Sequence, residues 1–148
     1  MSDINNYANN DFNKDEEERI KELEKLYSKK AIEYANYPRN IGRMNDPDGG
    51  AAIKGLCGDT MEIYFILDDG RVSDIKFFTD GCGATLACGS SATELAKGKT
   101  IDEMLTISPK DVLNDLGKIP EPHIHCAILS VMTVHKAVAY YLLKKNAG

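Results

Sequence analysis

The sequence has no Cys-x-x-Cys pair, no dense run of lysine and arginine, no internal repeat and no long apolar run. Each absence removes a class of function. Without a Cys-x-x-Cys pair, a zinc knuckle is not expected. Without a basic stripe, nucleic acid is not an expected partner. No stretch reads as a bilayer span. The N-terminus is polar and acidic, unlike a secretory signal peptide. A cytoplasmic protein is the resulting expectation.

What is present fits one globular domain. The chain has 148 residues, 43% hydrophobic and 28% charged, enough for a single core. Residues 1–25 hold eight acidic and four basic side chains and so carry most of the net charge of −5. The rest is close to neutral. Residues 1–13 are rich in Asn and Asp and read as a disordered tail. Residues 1–24 as a whole read as an acidic, partly disordered or helical extension, and 25–148 as the domain.

From Lys14 a helical period sets in, with Ile20, Leu23, Tyr27, Ala31 and Tyr34 at steps of three and four, ending before Pro38. Residues 39–58 read as a loop, rich in turn residues at Asn45–Gly50. Met61, Ile63, Phe65 and Leu67 alternate as in a half-buried strand, and Asp69-Gly70 signals a hairpin. The return strand Val72–Phe78 alternates imperfectly, because Val72 and Phe77 fall on opposite faces. A helix of small residues, Ala87–Ala92, follows Cys82 and ends at Gly98. Such residues permit close approach of another backbone. Thr100 with Glu103 forms a capping box, and Ser108-Pro109 starts a short helix that stops at Gly117. Ile119–Pro122 reads as an extended linker before a last helix, from about His125 to Lys144.

Four cysteines in such a chain point to metal binding or reactivity rather than disulfides. Cys82 and Cys126 each stand at a helix start, where the dipole favours thiolate. Cys57 and Cys82 are each followed by glycine, which lets backbone approach a metal. Asp59 lies two residues beyond Cys57, and His125 adjoins Cys126. Three thiolates, a carboxylate and an imidazole suit zinc or a [2Fe–2S] cluster with Asp59 or His125 as fourth ligand. A Cys82–His125–Asp59 hydrolase arrangement would leave the other cysteines without a role. Cys88, six residues after Cys82, reads as a buried helix residue, and His123 as a linker residue able to face the site.

Tyr37-Pro38-Arg39-Asn40-Ile41-Gly42, Cys57-Gly58-Asp59, Gly81-Cys82-Gly83-Ala84 and His125-Cys126 together resemble the IscU family, the N-terminal domain type of NifU. The likeness runs from about Tyr27 to Tyr141. It implies an α+β fold: a small antiparallel sheet of about three strands against several helices, the last one long. It implies a scaffold for iron–sulfur cluster assembly rather than an enzyme. Cys126 would accept sulfur as a persulfide from a cysteine desulfurase, and Cys57, Asp59, Cys82, His125 and Cys126 would hold iron and a transient [2Fe–2S] cluster. Zinc could fill the site in its place. Apo-proteins would receive the cluster, from a monomer or a homodimer bridging it.

Three departures qualify the resemblance. The family's Leu-Pro-Pro-x-Lys segment, read by a specialised Hsp70 chaperone in related scaffolds, is Ile119-Pro120-Glu121-Pro122-His123 here, and loss of the lysine counts against that partner. The residue before Pro38 is Tyr37 rather than Asn, and Cys88 replaces a small residue. The alternative is the zinc-bound sulfur relay of the SufU branch. That branch carries an insertion before its last cysteine and an arginine beside it. This chain has no spare segment between Gly98 and His125, and the neighbour is His125.

Overall fold

The computed structural model describes the backbone of residues 2–147 and the side chains of residues 14–147. Met1, the first residue of the expected tail, and Gly148 lie outside it. In chain order the elements are α1 (Ser2–Leu26), α2 (Lys29–Asn36), β1 (Gly49–Lys54), β2 (Thr60–Asp68), β3 (Arg71–Thr79), α3 (Gly83–Ala96), α4 (Ile101–Leu105), α5 (Pro109–Leu116) and α6 (Ile124–Ala147). A 3₁₀ turn (Glu121–His123) precedes α6. The strands form one antiparallel sheet in the order β1-β2-β3. Helices α3 and α6 pack against the sheet, and α2, α4 and α5 pack on those helices. This is the expected α+β class.

The single helix expected up to Pro38 is two helices. The backbone is helical back to Ser2, so the segment read as a tail joins α1. The break falls at Ser28, whose hydroxyl accepts from Ala31 N and caps α2. The same hydroxyl donates to the Leu116 carbonyl, and Ser28 N donates to Lys118 O at 2.7 Å. Helix α2 is thereby pinned to the end of α5, and α1 leaves the domain from that point.

The loop expected over 39–58 contains β1. Its Gly-Gly-Ala-Ala start has poor strand propensity, which hid it. Tertiary fit places it instead. A Cβ on Gly49 would lie 2.4 Å from the Phe65 ring and 2.8 Å from the Ala137 carbonyl. Only glycine lets the strand slide between β2 and α6. The other end of the loop is also tied: Asn40 O accepts from Phe77 N, and Gly42 N donates to Phe77 O, both at 2.8 Å.

The hairpin stands where Asp69-Gly70 placed it. Both residues have positive φ (54° and 77°), as a type I′ turn requires. The imperfect alternation of β3 has a cause. Leu67 pairs with Val72 but Ile66 pairs with Asp74, so Ser73 is an extra residue in a β-bulge. The bulge turns Val72, Ile75 and Phe77 to one buried face, where they meet Met61, Ile63 and Phe65. The small residues of α3 lie over that face, and a Cβ on Gly89 would sit 2.5 Å from the Phe77 ring.

Both short helices carry complete capping boxes, Thr100 with Glu103 and Ser108 with Asp111. The linker at Ile119–Pro122 is extended only in part, because the 3₁₀ turn begins at Glu121. Helix α6 bears on the membrane reading. A stretch of it is long and apolar enough to pass for a bilayer span, which the sequence reading missed. Half of that stretch is buried within the domain, where Ala127, Val131, Val134 and Val138 join the core. It packs as a core helix.

Candidate metal and sulfur site

The site lies where the β1–β2 turn, the β3–α3 junction and the start of α6 meet. Cys57 stands on a turn closed by Gly58 N donating to Gly55 O at 3.0 Å. Gly58 has φ +91° and open space around it, so it serves the turn rather than close approach. Cys82 is the N-cap of α3, with no side-chain cap bond. The glycine after it faces Ala35 of α2. The shared cysteine–glycine pattern therefore has two separate local causes.

Asp59 is held from both sides. Gly55 N donates to Asp59 O at 2.7 Å, and Thr60 N donates to the Asp80 carboxylate at 2.7 Å. Thr79 Oγ1 donates to Thr60 O at 2.6 Å and accepts from Gly81 N at 3.1 Å. This lacing sets residues 59–60 against 79–81. A Cβ on Gly81 would fall 2.7 Å from both Asp59 Oδ2 and Thr85 Oγ1, so glycine is what lets these two groups meet.

Thr85 is the residue that the sequence reading missed. It is fully buried. Its hydroxyl donates to Asp59 Oδ2 at 3.0 Å and stands 3.5 Å from Cys126 Sγ and 3.8 Å from Cys82 Sγ. His125 Nε2 is 3.6 Å from Cys126 Sγ. Asp59, Cys82, His125 and Cys126 are thus brought together. Cys57 is exposed on its turn and makes no side-chain hydrogen bond among the described residues. Its charge reaches Cys126 only through space. Among the described residues, no three Cys, His, Asp or Glu side chains converge closely enough to hold one metal ion. The signal for Thr85 was available: it follows Cys82 by three residues, one turn along the same helix face.

The thiols differ in access and in ionisation. Cys57 and Cys82 are exposed, whereas Cys126 and Cys88 are buried. Burial of Cys126 acts against the ionisation expected of a thiol at a helix start. Burial pushes its thiol up and outweighs the hydrogen bond with Thr85, and the negative charges of Cys82, Cys57 and Asp59 add to the rise. Cys88 lies inside α3 at 0% exposure, and burial pushes its thiol far up. The expected burial of Cys88 holds. His123 packs in a row, with ring centroids 6.3 Å from Tyr27 on one side and 6.3 Å from His125 on the other. Burial raises Tyr27 too, and the Cys82 and Cys126 thiolates raise it further. A cavity of about 320 Å³, lined by Leu23, Tyr27, Ala31, Ala35 and His123, opens beside Cys82.

The Tyr37–Gly42 segment stands apart from these groups and is structural in its contacts. Arg39 N donates to Ser90 Oγ at 3.0 Å, and the Asn40 amide donates to Thr93 and Glu94. It laces α3 to the edge of β3.

Comparison with known proteins gives a consistent result. The family model for the NifU-like N terminal domain matches residues 26–147. The iron–sulfur cluster assembly scaffold protein IscU 1 of Archaeoglobus fulgidus is 42% identical over 122 residues, covering 82% of this chain and 80% of the relative. The protein of that description from Escherichia coli K12, IscU, is 37% identical over 126 residues, covering 82% of this chain and 98% of its own. Among solved structures, a NifU-like N-terminal protein from Brucella abortus superposes with TM-score 0.65 at 23% identity, covering 82% of this chain and 98% of its own. A SufU protein from Fervidobacterium islandicum gives 0.61 at 22% identity, covering 76% and 96%. At these identities the two structures bear on the fold alone.

Proposed function

Given that this chain belongs to the family of NifU-like N-terminal domains, we propose that it is a scaffold on which iron–sulfur clusters are assembled and from which they are passed on. The observation that carries this reading is the arrangement of thiols. Two exposed cysteines and one buried cysteine flank a single carboxylate, with an imidazole beside the buried thiol. Three thiolates fall short of the four that usually hold a cluster. A fourth position shared by Asp59 and His125 suits cargo that must leave.

In this account a cysteine desulfurase delivers a persulfide. The Cys126 thiolate attacks its outer sulfur, a new S–S bond forms on Cys126, and the donor cysteine leaves as thiolate. Two electrons from an external reductant, with a proton, then release that sulfur as hydrosulfide. A second round supplies a second hydrosulfide, and the two, giving up their protons, combine with two irons held by Cys57, Asp59 and Cys82 into a [2Fe–2S] unit. Apo-proteins take the finished cluster. Closing the ligand set needs Cys57 to swing in on its turn, and the open space around Gly58 leaves room for that. The protein acts as a carrier, not as a turnover catalyst, and cytoplasmic location accords with this chemistry.

Residues 1–24 are an added extension, consistent with a family match that starts at residue 26. An Hsp70-type partner is not part of the proposal, because His123 replaces the expected lysine and packs between Tyr27 and His125. The SufU-like zinc relay is the rival. The segment between α3 and α6 holds only α4, α5 and the 3₁₀ turn, which leaves no insertion of the relay type. Metal analysis after anaerobic purification separates the readings. Iron with acid-labile sulfide is expected. Tight stoichiometric zinc that survives cluster reconstitution, together with sulfur acceptance, would favour the relay.

A further inference from the structure

Among the described residues, six buried side chains are serines or threonines: Thr85, Ser90, Ser91, Thr93, Ser130 and Thr133. Four of them bond back to their own helix, Ser90 to Leu86 O, Thr93 to Gly89 O, Ser130 to Ala127 O and Thr133 to Leu129 O. That is the ordinary way to satisfy a buried hydroxyl in a helix. Ser91 ties α3 to α5 through Asp115 at 2.7 Å. Thr85 does neither. It sits in the first turn of α3, where the carbonyl four residues back lies outside the helix. Its hydroxyl instead faces Asp59 Oδ2, Cys126 Sγ and Cys82 Sγ at 3.0, 3.5 and 3.8 Å. A glycine at 81 and the lacing of residues 59–60 to 79–81 keep the carboxylate there.

We propose that Thr85 is a positioning residue for the metal site: by donating to Asp59 Oδ2, its hydroxyl orients the Asp59 carboxylate beside the Cys126 and Cys82 sulfurs. This rests on the reading of those three groups as metal ligands. A hydroxyl that donates to one carboxylate oxygen fixes the plane of the carboxylate and leaves the other oxygen free to bind. Hydrogen bonds of this kind outside the ligand set hold ligands in orientation, and their loss lowers metal affinity by about 10- to 100-fold. Because the proton goes to Asp59, the effect must act through Asp59.

Anaerobic titration of the full chain with Co²⁺, read by thiolate-to-cobalt absorption, tests this. Thr85→Val, which keeps the volume and loses the hydroxyl, should weaken Co²⁺ binding about tenfold. Thr85→Ser should restore most of it. In an Asp59→Ala background, Thr85→Val should have little further effect, the non-additivity expected of residues acting as a unit. If the valine variant does not fold by circular dichroism, the Ser and Ala variants at 85 replace it, since they differ only in the hydroxyl. The proposal is overturned if loss of the hydroxyl leaves affinity unchanged, if serine fails to rescue, or if the loss persists in full without Asp59. A wild type without thiolate-to-cobalt absorption overturns both this proposal and the scaffold reading. A wild type that binds Co²⁺ with the expected Thr85 dependence yet builds no cluster overturns the scaffold reading alone.

Discussion

Cys126 combines two demands that pull against each other at the scale of single residues. Sulfur capture needs a thiolate, yet burial and three negative neighbours push the pKa of this thiol above the usual cysteine value. In metal-free protein the exposed Cys57 and Cys82 should therefore alkylate before Cys126, with Cys88 last. A raised pKa means less thiolate at any given pH, so the Cys126 share should grow only as pH passes above the ordinary thiol range. Mass spectrometry of iodoacetamide-labelled peptides across pH reads this directly, and equal labelling of all four at neutral pH would contradict it. Cys126→Ser should abolish persulfide capture from a desulfurase while leaving the fold intact. Sulfur that still loads on that variant would move the acceptor to another cysteine. Asp59→Ala should lengthen the life of the assembled cluster, because the exchangeable oxygen ligand is gone. An unchanged transfer half-life would remove Asp59 from release.

At the scale of elements, much was readable and the misses have physical causes. The hairpin, the Thr100–Glu103 capping box, the helix start at Ser108-Pro109 and the helix after Cys82 follow from local chemistry: positive φ at Asp69-Gly70, Ser and Thr hydroxyls at N-caps, a glycine at each end. Strand β1 and the Ser73 bulge were not readable in this way, since long-range fit decides them. Gly49→Ala should therefore cost about 1–3 kcal/mol through overpacking against Phe65 and Ala137. Thermal unfolding should show that loss, and a melting point equal to wild type would mean that β1 is not wedged as described. The site was legible as a set of ligand types, because Cys, Asp and His in helix-start and turn contexts signal metal chemistry. Its organising hydroxyl was not, since threonine in a helix has many ordinary uses. Nor could the sequence show that burial would push the Cys126 thiol up.

For the whole molecule, the fold keeps its thiols at one end of the sheet and carries a surface charge network on β2. Arg43 pairs with Glu62, and Tyr64 donates to the same carboxylate. Arg43 first, then Tyr64, holds the Glu62 carboxyl below its usual range. A depressed folded pKa gives stability that is present above the unfolded value and lost as pH falls through the folded one. Wild type should thus exceed Glu62→Gln in melting temperature near neutrality, with the gap closing in acid. A gap that widens in acid would reverse the sign. The central claim is that the thiol end of the domain builds and releases clusters. Anaerobic reconstitution with iron, cysteine and a cysteine desulfurase, followed by visible absorption and Mössbauer spectroscopy, tests it most directly. The account predicts a [2Fe–2S] signal that depends on Cys57, Cys82 and Cys126 and decays on addition of an apo-acceptor. A protein that takes up sulfur or zinc under these conditions but never shows a cluster signal would contradict it.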